Sequence, residues 1–172
     1  MDFQQTVQSS KSGLEQLASK LPGYSGYKEK ETRREADKLL REHVTGQLDA
    51  ERRRLADIQR QMLDSGGLLM LDDVERAVTK VQKLADMVRT ASYGYAGLFD
   101  AVKVKEAQLD ALYQFDSQTL ERVTAIKAAV DALAAAQDSG GDVKAAIKGV
   151  VTAAEDANAR WRERENAITG AV

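Results

Sequence analysis

His43 is the only imidazole in this chain of 172 residues, and cysteine is absent. Nucleophilic catalysis of the Ser–His–Asp kind therefore has at most one version, and the Cys–His kind has none. Zinc–thiolate sites, iron–sulfur clusters and disulfides go with the cysteines. Val44 sits on an apolar stripe, which places His43 at the edge of that stripe or in solvent, where a structural role is expected. A di-iron site of the ferritin kind needs Glu-x-x-His pairs, and the sequence has none. No catalytic residue, cofactor or metal site is read from the chain.

One carboxylate stands out. Asp116 falls on a position that the heptad count assigns to the interior, flanked by Tyr113, Phe115 and Leu120. A carboxylate there must shift its protonation equilibrium or find a donor. Two readings stand. Asp116 caps a local helix break through Ser117 and Thr119, or meets a tyrosine hydroxyl at the edge of the stripe; alternatively it marks a ligand or switch site in the core.

Aromatic residues gather at the breaks between helices. Tyr24, Tyr27, Tyr93, Tyr95 and Phe99 make five of the nine aromatics. An antiparallel bundle would bring them to one end, as a partner-binding or ligand-binding surface or as a plug that closes the bundle. Tyrosine suits the first role because it is rigid and keeps a polar handle.

The charges speak mainly by exclusion. Residues 28–64 hold ten Lys/Arg against nine Asp/Glu, and the chain as a whole carries -2. Pairs such as Glu29–Arg33 and Asp37–Arg41 lie at helical spacing and read as a self-compensated, solvated face. Nucleic-acid binding needs one-signed clustering, which is missing even around Arg52, Arg53 and Arg54.

These residues need helices to position them. Phe3, Val7, Ser10, Leu14, Leu17 and Leu21 step 4-3-4-3-4, and so do Val74, Val78, Val81, Ala85, Val88 and Ser92. Val143, Ile147, Val150, Ala154, Ala157 and Trp161 repeat that spacing. Each row is a stripe that another helix must cover. The first helix spans about 2–20 and stops at Pro22-Gly23-Tyr24-Ser25-Gly26. A second runs about 28–64 with Leu39, Leu40, Val44, Leu48, Leu55, Ile58 and Met62 inward, ending at Asp64-Ser65-Gly66-Gly67. Asp72 with Glu75 reads as a capping-box start for the next. The last spans about 142–169, with Asp142 as N-cap after Asp138-Ser139-Gly140-Gly141.

The stretch Ser92–Phe99 is ambiguous. Gly94 and Gly97 favour a turn, with a helix starting between Leu98 and Lys105 and reaching about Gln137. The heptad register nevertheless continues through it. The expected fold is all-α: an antiparallel helical bundle of four to five helices in a single domain, residues 1–172. The alternative is an elongated bundle with one continuous helix from about 72 to 137, roughly 100 Å long at about 1.5 Å per residue. A closed core favours folding back. Residues 125–136 are alanine-rich, which suits close helix approach.

No segment offers the roughly 20 apolar residues of a membrane span. The sequence Met-Asp-Phe-Gln-Gln has neither the basic flank nor the apolar block of a secretory signal, so a cytoplasmic protein is expected. The N-terminal helix has an uncharged face of Gln4, Gln5, Gln8, Ser9, Ser12, Gln16 and Ser19. Such a helix lies on loosely packed lipid, or its stripe packs on the bundle or on a second copy.

The segment from Pro22 to Arg41, Pro-Gly-Tyr-Ser-Gly-Tyr-Lys-Glu-Lys-Glu-Thr-Arg-Arg-Glu-Ala-Asp-Lys-Leu-Leu-Arg, resembles one in short all-helical bacterial proteins without assigned activity. Tyr93-Gly94-Tyr95-Ala96-Gly97-Leu98-Phe99-Asp100 is similar to a second segment of that group. The resemblance implies a bacterial helical protein and supplies no catalytic residue. Together with the stripes it points to a non-enzymatic interaction or scaffold module, working by helix docking or self-association with a protein partner or a second copy. A peripheral membrane module and a small-ligand binder at the aromatic end are the alternatives.

Overall fold

A computed structural model describes residues 14–26, 33–65, 67–91, 106–164 and 166. Within them the regular structure is helical throughout. We label the helical residues 14–20 α1, Arg33–Asp64 α2, Leu71–Thr90 α3, Glu106–Ser139 α4 and Val143–Arg162 α5; a 3₁₀ turn, Leu68–Met70, precedes α3.

The four long helices form a ring: α2 packs on α3, α3 on α5, α5 on α4, and α4 returns to α2. Ion pairs fix the direction of each. Arg89 reaches Asp49 across α2 and α3, and Arg122 reaches Asp156 across α4 and α5, so each hairpin is antiparallel. The last turns of α2 and α4 share one groove, lined by Ile58, Gln61, Ala134 and Asp138. The first turns of α3 and α5 share another, lined by Asp73, Arg76, Asp142 and Lys144. The two hairpins therefore run parallel to each other, with both tight turns at the same end. The chain reverses between Thr90 and Glu106, which excludes the single rod from 72 to 137. A rod would carry Asp73 and Asp138 to opposite ends, roughly 100 Å apart; instead both lie at the turn end.

The stripes read from sequence form the core. Leu40, Val44, Leu48, Leu55, Ile58 and Met62 of α2 are buried, as are Val74, Val81, Ala85 and Val88 of α3. Ile147, Val150, Ala154, Ala157 and Trp161 of α5 join them, and α4 contributes Leu112, Leu120, Val123, Ile126, Val130 and Leu133. Leu39, Val78 and Val143 are half-buried at the margins. Leu17 of α1 and Leu21 just past it are buried, so this part of the N-terminal stripe packs on the bundle.

The helix ends follow local chemistry with one exception. Asp142 caps α5, its carboxylate accepting from the Ala145 N–H at 2.9 Å. Gly140 takes φ +68° just past α4, which lets the Gly141 N–H reach back to Ala136 O at 2.8 Å. Asp72 is not a cap: α3 begins at Leu71 with Met70 before it and no side-chain cap bond. The 3₁₀ turn moves the helix start ahead of Asp72, which then lies in the first turn, where a carboxylate favours the helix dipole.

Candidate functional site

The strongest concentration of buried charge lies at the end of the bundle away from the turns. Asp116 is fully buried, as the heptad count implied. The reading of Asp116 as a cap at a local helix break does not hold. Helix α4 runs unbroken through it, and the Thr119 hydroxyl donates to the Phe115 carbonyl at 3.0 Å instead. Its described partner is a guanidinium. Arg164 donates through Nε to Asp116 Oδ1 at 3.0 Å and through Nη2 to Oδ2 at 3.3 Å. The same guanidinium donates through Nη1 to Asp37 Oδ1 at 2.6 Å. Arg41 Nε donates to the other Asp37 oxygen at 2.8 Å. Two arginines and two aspartates thus tie α2, α4 and the residues just past α5.

Three rows of the bundle place these groups. Asp116 continues the inward row of α4 between Leu112 and Leu120, and Asp37 follows buried Ala36 on α2. Arg164 lies three residues beyond Trp161 on the row of Ile147, Val150, Ala154 and Ala157, so the register of α5 carries it inward. Trp161 packs below the Arg164 guanidinium, 5.0 Å from ring centroid to Cζ, and Arg160 lies over the Phe115 ring at 4.4 Å.

Desolvating a charge is costly, so it persists inside only when paired and hydrogen-bonded. Arg164 has 0% of its surface exposed, and its planar fork meets a carboxylate through two parallel donors. This corrects the sequence reading of Asp37 as part of a solvated face. The Asp37–Arg41 pair forms, but Asp37 retains only 4% exposure because Arg164 draws it inward.

Residues 14–26 press against the same region. The Ser117 hydroxyl donates to Gln16 Oε1 at 3.3 Å, Tyr24 is buried, and Gly26 turns at φ +81°. A Cβ on Gly26 would meet the Tyr113 hydroxyl and the Leu14 side chain, each at 2.6 Å. Of the aromatic group, Tyr24 alone is described; Tyr27, Tyr93, Tyr95 and Phe99 lie outside the described residues.

Chemically the cluster is a clasp. A guanidinium does not give up its proton near neutrality, and here it is shared between carboxylates that accept from it. Half-buried His43 is on α2, outside this set of contacts. Among the described residues no three His, Asp or Glu side chains gather in an arrangement suited to a metal, and no helix is long and apolar enough to cross a membrane.

Away from the clasp, each seam of the ring carries an ion pair. Arg54 links Asp131 of α4 at 2.6 Å to Glu51 of its own helix at 2.7 Å. Lys80 of α3 meets Glu155 of α5 at 3.0 Å. The Lys127 ammonium and then Arg54 hold the Asp131 carboxyl below its ordinary range, and Lys80 does the same for Glu155. Asn158, buried on α5, donates to the Lys80 carbonyl at 2.9 Å and to the Ala154 carbonyl at 2.7 Å.

Arg164 was legible only in retrospect. The signal was an arginine on an apolar row, matched by an aspartate on the inward row of another helix. The fold and clasp define the class as an all-α bundle with a buried ionic clasp. Comparison with protein-family models, curated proteins and solved structures finds no match to the chain.

Proposed function

We propose that this chain is a non-catalytic interaction or scaffold module that presents rigid helix faces to a protein partner or to a second copy of itself. The observation that supports it most is the clasp. The groups best suited to acid–base or ligand chemistry, Asp37, Asp116 and Arg164, are buried and engaged with one another. They join three parts of the bundle. A groove of about 500 Å³ between α3 and α5 is open and lined by mixed charges, among them Asp73, Lys144 and Lys148, with Arg76 turned to Glu155. A cytoplasmic setting in a bacterial cell fits this reading, given the cysteine-free composition and the resemblance noted above.

Two measurements test it. Thermal unfolding against a panel of metabolites and divalent metals should show no saturable stabilisation. A ligand present at 100 times its Kd would add about 2.7 kcal/mol, a shift of roughly 5–10 °C for a chain of this size. Such a shift would replace the scaffold with a ligand-binding protein. Light scattering over a wide concentration range, repeated with candidate protein partners, reads the association directly. A strict monomer that binds no protein would leave the reading without support.

A further inference from the structure

Among the described residues two large apolar side chains stay in water, Leu63 at 47% and Leu69 at 98% of full exposure. They flank one turn: Leu63 is the penultimate residue of α2, and Leu69 is the middle of the 3₁₀ turn that leads into α3. Turns that face solvent usually carry Gly, Asn, Asp or Ser, yet this one reads Leu68-Leu69-Met70 with Leu71 following. A lone exposed leucine is ordinary; two beside the same turn, backed by half-buried Met70 and Leu71, form an apolar tip.

The rim of the tip is acidic. Asp64, Asp72, Asp73 and Asp138 are exposed, and none forms an ion pair with a described residue. Of the basic residues at this end, Arg60 pairs with Asp57 and Arg76 with Glu155. Lys144 and Lys148 share the α3–α5 groove with Asp73 and Asp142 and offset that side, so the acidic excess rests on Asp64, Asp72 and Asp138. We propose that this leucine-tipped, acid-rimmed end is a docking surface, and that it takes a protein surface in which an apolar socket is bordered by lysine and arginine. The inference rests on the interaction-module reading and adds the chemistry of the partner. Charge complementarity selects the occupant. Anionic lipid headgroups would repel the aspartates, and a second copy docked tip to tip would set the two acidic rims against each other. The leucines supply affinity through burial, while the aspartates steer encounter and make it salt-dependent.

The probe is a synthetic amphipathic peptide with leucine on one helical face and lysine on the other, compared with its glutamate counterpart. Fluorescence anisotropy with the full chain at about 50 and about 500 mM salt reads the electrostatic share. The lysine peptide should bind and the glutamate peptide should not. The pair Leu63→Ser and Leu69→Ser should weaken binding at least about tenfold, and Asp72→Asn with Asp73→Asn should flatten the salt dependence. Glu35→Gln with Glu42→Gln, on the first half of α2, should leave both unchanged. Circular dichroism checks that each variant keeps its helix content. Equal binding by the leucine variants, no binding of the lysine peptide, leucine-dependent flotation with phosphatidylglycerol vesicles, or a tip-dependent dimer in light scattering would each overturn the proposal. Lysine-peptide binding that ignores the tip would remove this inference and leave the interaction-module reading standing. That reading falls separately, to a ligand that stabilises the chain in the metabolite panel.

Discussion

Replacing Arg164 with alanine probes the clasp most directly. The variant removes both guanidinium contacts to Asp116 and the Nη1 contact to Asp37, all within a site whose two acids retain 0% and 4% exposure. Removing one partner of a buried pair costs about 3–5 kcal/mol because the remaining charge is left desolvated. Asp37 keeps Arg41 at 2.8 Å, which offsets part of the loss, so the low end of that range, about 3 kcal/mol, is expected. For a chain of 172 residues that lowers Tm by roughly 6–12 °C. Urea denaturation followed by circular dichroism measures the free energy, and thermal denaturation checks the shift. Arg164→Lys keeps the charge without the planar fork and should fall between wild type and alanine. The double variant Asp116→Leu with Arg164→Met removes both poorly solvated charges and should recover most of the loss, giving a coupling of about 2 kcal/mol or more in a double-mutant cycle. A single substitution that costs under about 1 kcal/mol, or a double whose cost equals the sum of its parts, would refute the clasp as a coupled buried unit.

Three further outcomes follow from the geometry. Gly23→Ala meets open space at φ +83° and should cost about 1 kcal/mol, whereas Gly26→Ala also drives a Cβ to 2.6 Å from Tyr113 Oη and Leu14 and should cost about 1–3 kcal/mol more; hydrogen exchange of residues 14–26 reads the difference. Asp142→Ala removes the bond from the Ala145 N–H and should cost about 1 kcal/mol by urea denaturation. The depressed carboxyls of Asp131 and Glu155 make a pH prediction. Their folded values lie below the ordinary 3.8 and 4.5, so their stabilisation is complete above that range and is lost as pH falls through the folded values. These two groups should therefore add their full, constant stabilisation between about pH 7 and 5, and stability should decline below about pH 4. Asp131→Asn with Glu155→Gln should make that acid-side decline shallower; an unchanged slope would refute the assignment.

The sequence by itself determined the helices and their inward faces, because an apolar side chain every three or four residues leaves one stable way to leave water. The rows from Leu40 to Met62 and from Ile147 to Trp161 are buried as their spacing required, and so is that from Val74 to Val88 but for half-buried Val78. Local chemistry also announced Asp142 as a cap and Gly140 as the residue past α4, since both act within four residues of themselves. What only the tertiary structure decided was how the rods meet. Periodicity runs equally well through a straight helix and a folded one, so the reversal between Thr90 and Glu106 was set by packing rather than by register. The partner of Asp116 was hidden for the same reason. It is Arg164, 48 residues away, joined by Asp37 at a separation of 127, and no local pattern carries a contact over that distance. The inward position of Asp116 was written in the chain; the cation that makes this burial tolerable became visible only once three helices had converged.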